Sequence, residues 1–156
     1  MEQEPQALLG VTLVVDANVV FSVMLRADGR MAKAWWDAQR RLKLIAPTAL
    51  KSEIEEHRTR LAKGIKCSVE DTYELEALVL KEVNIVSDEL VSRAAKEDAT
   101  NALMSIDADD TPYLALAIQY QCGLWTGDLR LLRKLARKGY RQVVDTAGVS
   151  RMLGGL

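Results

Sequence analysis

Val11-Thr12-Leu13-Val14-Val15-Asp16-Ala17-Asn18 decides how the rest of the chain is read. A short apolar, β-branched run that ends abruptly in a carboxylate is the signature of a buried parallel strand delivering one acid to the edge of a sheet. Residues 1–10, polar with Pro5 and Gly10, form a lead-in, and one domain is expected over residues 11–153. Beyond Asp16, Val19, Val20, Val23 and Met24 fall at helical spacing, with Asn18 as the expected N-cap. Asp28-Gly29 ends that helix. A second runs from Met31 to Leu42, its Trp35 and Trp36 expected in the packing rather than as stacking platforms.

Further along, Lys43 to Ala46 is a second strand, closed by Pro47 where a helix begins. On that helix Leu50, Ile54, His57 and Leu61 share one stripe. Glu53 lies at its margin, roughly 70° from the centre, while Glu55 and Glu56 lie about 130° away toward solvent. Only Glu53 is aimed near the core. The stretch from Arg58 to Lys66 around Gly64 reads as a basic, solvated loop, and Ser68 as the N-cap of a helix with Leu75, Leu78 and Val79 on its apolar side. Val83 to Val86 is a third strand, and Ser87 is expected to cap a helix reaching about Ile106.

An acidic knot follows, Asp107-Ala108-Asp109-Asp110-Thr111-Pro112, leading directly into Tyr113-Leu114-Ala115-Leu116-Ala117-Ile118. Thr111 is the expected N-cap and Pro112 the first helical residue, so the acids sit beside a positive helix end. One acid suffices for that role. Three within four residues repel each other, which points to a cation. Gly123 to Thr126 is a fourth strand, and Asp128 ends it as Asp16 ends the first, while also capping a helix from Leu129 to Lys138 that Gly139 stops. Arg141 to Val144 is the fifth strand.

Composition narrows the chemistry. The 156 residues are 49% hydrophobic and 28% charged, enough for one sizeable core, and 21 Lys and Arg nearly cancel 22 Asp and Glu. No global basic field exists to hold a polyanion, so such a partner must be gripped locally or through metal. Cys67, Cys122 and the single His57 share no metal-ligand or disulfide spacing. Neither a signal peptide nor a membrane-length apolar run is present, so a cytoplasmic protein without a membrane partner is expected.

Five short strands separated by helices form a parallel α/β sheet, whose ligands sit at the carboxyl ends of the strands where strand order reverses. Asp16 and Asp128 follow strands onto that edge, and the helix after Asp110 begins there. Glu53, early in the helix after the second strand, is within reach. Like charges this close raise one another's pKa. Hard oxygen ligands without His or Cys favour Mg²⁺ or Mn²⁺ over Zn²⁺, and such ions support phosphodiester hydrolysis.

Val14-Val15-Asp16-Ala17-Asn18, Ser52-Glu53-Ile54, Asp107-x-Asp109-Asp110-Thr-Pro-Tyr-Leu-Ala-Leu-Ala and Trp125-Thr126-Gly127-Asp128 together resemble the ordered acidic motifs of the PIN-domain nucleases, including VapC-like toxins. The likeness covers about Val11 to Leu153. It implies a PIN-like three-layer α/β/α sandwich with a five-stranded parallel sheet, and a metal-dependent ribonuclease acting on single-stranded RNA. It also implies a homodimer and, for a toxin, an antitoxin protein as partner. By position Asp16, Glu53, Asp110 and Asp128 match the family's acidic quartet as catalytic and metal-binding residues. Asn18 and Thr126 match its polar supporting positions, and Asp109 stands beside the quartet. Asp110 is preferred over Asp109 because it precedes Ala117 by the family's spacing, while Asp107 stays open as a further acid. Many relatives carry another acid two or three residues after the fourth. Arg130 and Leu131 stand there instead, which weakens a second metal position and offers Arg130 to substrate phosphate.

Three rivals remain. A non-catalytic PIN-like module binding RNA or protein would have no use for repelling carboxylates. A structure-specific DNA nuclease would be expected to carry large insertions, absent from this minimal chain. A phosphoacceptor receiver domain needs an Asp after the third strand and a Lys after the fifth, where Ser87 and Asp145 stand.

Overall fold

In the computed structural model, which describes residues 11–104 and 108–154, β1 (Thr12–Val15) is the central strand of a five-stranded sheet. The order is β3-β2-β1-β4-β5 and every pairing is parallel, with β2 at Lys43–Pro47, β3 at Val83–Val86, β4 at Gly123–Trp125 and β5 at Val143–Val144. The chain builds outward from β1 through β2 to β3, then crosses back to β4 on the other side. The order therefore reverses between β1 and β4, and a crevice opens at their carboxyl ends. Register pairs Val15 with Trp125, so the next residues, Asp16 and Thr126, emerge side by side into that crevice.

Helices cover the sheet as a PIN-like α/β/α arrangement: α1 (Ala17–Leu25), α2 (Arg30–Arg41), α3 (Ala49–Ile65), α4 (Val69–Val79), α5 (Arg93–Leu103), α6 (Thr111–Tyr120), α7 (Leu129–Arg137) and α8 (Thr146–Met152). α6 packs across β1, β2 and β4 with α5 against it, while α2 packs on β2 and α8. Val14, Val15, Trp35, Leu116 and Trp125 are buried at the centre. Trp35 lies 5.6 Å from Trp125, centroid to centroid, and its indole N–H donates to the Val79 carbonyl at 3.0 Å. Trp36 is only half-buried.

Several local expectations are corrected. Asn18 is not the cap of α1; Asp16 occupies that position, and Asn18 is freed to bond elsewhere. The supposed basic loop is helix. α3 continues through Gly64 to Ile65 and stops at Lys66, whose φ of 67° is left-handed. Gly64 lets α1 and α3 approach closely, since a Cβ there would meet Leu25 Cδ2 at 2.7 Å. Its buried face carries Leu50, Ile54, Arg58, Leu61 and Ala62, with His57 displaced to a half-exposed edge contact with Phe21.

The buried guanidinium of Arg58 explains a second shift. α4 turns Thr72, Glu76 and Val79 inward and leaves Leu78 56% exposed, because Glu76 and Thr72 supply the partners that Arg58 needs. Ser87 caps only a 3-10 turn at Asp88–Leu90, and Ser92 caps α5 through the amide of Ala95. Ile106 and Asp107 lie outside the described residues. α6 starts one residue early, with Asp110 in the cap position and Pro112 in its first turn. Gly139 ends α7 at φ 95°, a conformation that favours glycine.

Candidate active site

The crevice is built around the hydroxyl of Thr126, buried at the end of β4. It donates to Asp16 Oδ2 at 2.8 Å and accepts from Asn18 Nδ2 at 3.3 Å and from the Asp128 amide at 3.0 Å. One donor and two acceptors are thereby used, the full capacity of a hydroxyl. Asn18 completes the clamp: its Nδ2 donates to Asp16 Oδ2 at 3.1 Å and its Oδ1 accepts from the Gly127 amide at 2.9 Å. The first turn of α1 is thus tied to the loop after β4. Of the supporting residues named from the sequence, Asn18 and Thr126 stand against the first acid.

Asp16 itself is 4% exposed. Burial pushes its carboxyl above the ordinary 3.8. Hydrogen bonds from Thr126 and from the backbone of Ala17 and Asn18 oppose that rise, and the charge of Asp128 adds to it. Asp128 caps α7, its Oδ1 accepting from the amides of Arg130 at 3.0 Å and Leu131 at 3.1 Å.

Glu53, on the first turns of α3, is half-buried as the stripe analysis required, and Glu55 and Glu56 are exposed. Burial lifts Glu53 above its usual 4.5 against a hydrogen bond from Tyr113, and the charges of Asp16, Asp109 and Glu56 push in the same direction as burial. Sequence reasoning missed Tyr113, which the structure brings against Glu53. It is buried in the first turn of α6, and its hydroxyl donates to Glu53 Oε1 at 2.8 Å. Burial, together with the charges of Glu53, Asp16 and Asp110, drives its phenol far above the ordinary range, so it is a neutral donor at every ordinary pH. The signal was available: a tyrosine directly after Thr-Pro at an acidic helix start is held near the acids by the first turn.

Asp109 and Asp110 lie in the 3-10 turn Ala108–Asp110 that feeds α6, the first exposed and the second half-buried. The carboxylates of five residues, Asp16, Glu53, Asp109, Asp110 and Asp128, thus sense one another across this edge or meet at Tyr113. Their convergence is looser than the sequence implied. Among the described residues no three His, Cys, Asp or Glu side chains stand close enough to hold a metal ion. The physical reason is visible in the bonds: Asp16 is engaged by Thr126 and Asn18, Glu53 by Tyr113 and Asp128 by α7, each drawn toward its own donor. Arg130 is exposed on α7 and, among the described residues, forms no ion pair with the acids. The donor chemistry still fits a hard divalent cation, since the acids at this edge offer carboxylate oxygens and a cation relieves their mutual repulsion.

Among the described residues no helix is long and apolar enough to cross a membrane. No curated protein matches the chain by sequence. Solved structures share its fold, two of them as follows. VapBC2 from Rickettsia felis bound to a DNA fragment from their promoter superposes with a TM-score of 0.66 at 10% identity, covering 86% of this chain and 98% of that one. PAE2754 from Pyrobaculum aerophilum gives a TM-score of 0.64 at 16% identity, with 92% and 90% covered. The PIN-domain profile matches residues 14–144, from the strand that carries Asp16 to the end of β5. With the acids gathered at the β1–β4 crevice of a PIN-like fold, the chain belongs to the PIN-domain family, a family of nucleases.

Proposed function

We propose that this chain is a divalent-cation-dependent endoribonuclease that hydrolyses phosphodiester bonds of single-stranded RNA. Asp16, Glu53, Asp110 and Asp128 are its catalytic and metal-binding acids; Asn18, Thr126 and Asp109 support them, and Arg130 meets substrate phosphate. The observation that carries this reading is a 4%-exposed carboxylate at a topological switch point, held ionisable by Thr126 and Asn18 against burial and the charge of Asp128. Keeping such a group is costly for folding alone.

Asp16, Glu53, Asp110 and Asp128 would hold Mg²⁺ or Mn²⁺, which would supply a water of lowered pKa and neutralise charge on the leaving oxygen. The protein's own part is positioning. Thr126 fixes Asp16 and the amide of Asp128 with one hydroxyl, and Tyr113 fixes Glu53 with another. Asp109 adds charge next to Glu53. The chain is read further as the cytoplasmic, homodimeric toxin of a toxin–antitoxin pair, blocked by an antitoxin protein; the fold shared with VapBC2 supports the antitoxin partner.

The test is cleavage of a mixed-sequence single-stranded RNA by the purified chain with Mg²⁺, with Mn²⁺ and with EDTA, beside Asp16→Asn. Cutting that needs the ion and disappears in the variant is expected. Cutting that persists in EDTA, or in Asp16→Asn with its fold intact by circular dichroism, overturns the assignment.

A further inference from the structure

α7 begins at the acidic edge and carries Arg130, Arg133, Lys134 and Arg137 at i, i+3, i+4 and i+7. At 100° per residue these four lie within about 100° of one another, on a stripe about 10 Å long. Leu131 and Leu135 are buried on the other side. The helix connects β4 to the parallel β5, so it runs back along the sheet, and the stripe leads from the crevice toward the amino ends of the strands.

The helix dipole accounts for only part of this placement, favouring Lys134 and Arg137 in the last turn. Arg130–Arg133, Arg130–Lys134, Arg133–Arg137 and Lys134–Arg137 are all like-charge neighbours, each unfavourable to a helix. Arg130 sits in the first turn, where the helix dipole disfavours a cation. Among the described residues none of these four has a carboxylate partner. The chain as a whole has a formal net charge of −1, so the stripe is a local concentration and not part of a general basic surface. Local rules broken on an accessible face beside an active site mark a binding surface.

We infer that this α7 face is a track for the phosphate backbone of a nucleic-acid strand leaving the acidic crevice. Three of its four cations are Arg, whose planar fork matches phosphate oxygens. That the strand is RNA rests on the proposed function; that it is a nucleic acid rests on the charge pattern.

The experiment measures binding of a fluorescein-labelled single-stranded RNA by anisotropy across a salt series, in the Asp16→Asn background, with and without Arg133→Gln/Arg137→Gln. A single-strand phosphate contact contributes about 0.7 to the slope of log affinity against log salt, so losing two lowers it by about 1.4. Over the decade from 1 M to 0.1 M salt that slope difference is a loss of roughly 25-fold, with the two proteins converging at high salt. Arg133→Lys/Arg137→Lys keeps the charges and should keep most of the slope. An unchanged slope and affinity in the Gln pair overturns the track. Equal binding of a poly-glutamate peptide of the same charge also overturns it, assigning the face to an acidic protein segment. Cleavage by the unmodified chain is scored separately. Cutting with an unchanged slope defeats the track and leaves the nuclease, whereas a lowered slope without cutting leaves the track and defeats the nuclease.

Discussion

Glu76→Ala probes the charge cluster that joins α4 to α3, the helix carrying Glu53. Glu76 and Arg58 are each 5% exposed. Glu76 accepts from Arg58 Nη2 and Lys51 Nζ. Arg58 is further held by Glu55 through Nε at 2.6 Å and by Thr72 through Nη1 at 3.1 Å, and its guanidinium lies 3.6 Å from the Tyr73 ring centroid. Removing one partner of a buried pair costs about 3–5 kcal/mol, because the other charge stays buried without compensation. Here Glu55 remains as a half-exposed counter-charge, which places the loss near the lower end, about 3 kcal/mol. For a chain of this size that lowers Tm by roughly 6–12 °C.

Urea and thermal unfolding of Glu76→Ala, Arg58→Met and Arg58→Met/Glu76→Leu give the answer. The double variant should regain most of the loss, since a buried pair exchanged for apolar groups is often neutral. The pH dependence has a fixed sign. Burial raises the Glu76 carboxyl, but hydrogen bonds from Lys51 and Arg58 outweigh it and hold it below the ordinary 4.5. Its contribution is present above pH 4.5 and is lost as pH falls through its folded value. A loss under about 1 kcal/mol in Glu76→Ala, the size seen for exposed pairs, would refute the claim that Arg58 is desolvated.

Two further outcomes concern the site. Tyr113→Phe removes the donor to Glu53 Oε1 and should lower cleavage or cation affinity by about 10- to 100-fold, as loss of a ligand's outer hydrogen bond does; calorimetric Mn²⁺ titration with a cleavage assay checks it. Asp16 and Glu53, both raised chiefly by burial, hold protons in the folded state at pH values where the unfolded chain has released them. Their contribution to the ion-free fold is complete below 3.8 and 4.5 and is lost as pH rises through the folded values. Asp16→Asn/Glu53→Gln should accordingly melt higher than the unmodified chain at pH 7 without metal, and an equal or lower Tm would contradict the shifts.

The parallel sheet and its acidic edge could be read from the sequence because local pattern dictates them, whereas the strand order β3-β2-β1-β4-β5 came from the assembled fold. A β-branched run ending in Asp16, a Gly-Asp ending at Asp128 and helical spacing between them leave little choice but a parallel sheet with acids at its carboxyl edge. The half-buried placement of Glu53 could be read for the same reason, since helical angle alone sorts it from the exposed Glu55 and Glu56. Tertiary structure decided where polar groups are satisfied. Nothing local says that Arg58 goes inward and His57 to the edge; that follows from Glu76 and Thr72 on α4, 18 and 14 residues away. Asn18 reads as a helix cap until Thr126, 108 residues distant, and Gly127 claim its amide. Tyr113 acquires its part only when Glu53, 60 residues earlier, is brought to its hydroxyl. Periodicity places a residue on a face, whereas a buried hydrogen bond requires two faces to meet, and only the assembled fold specifies that meeting.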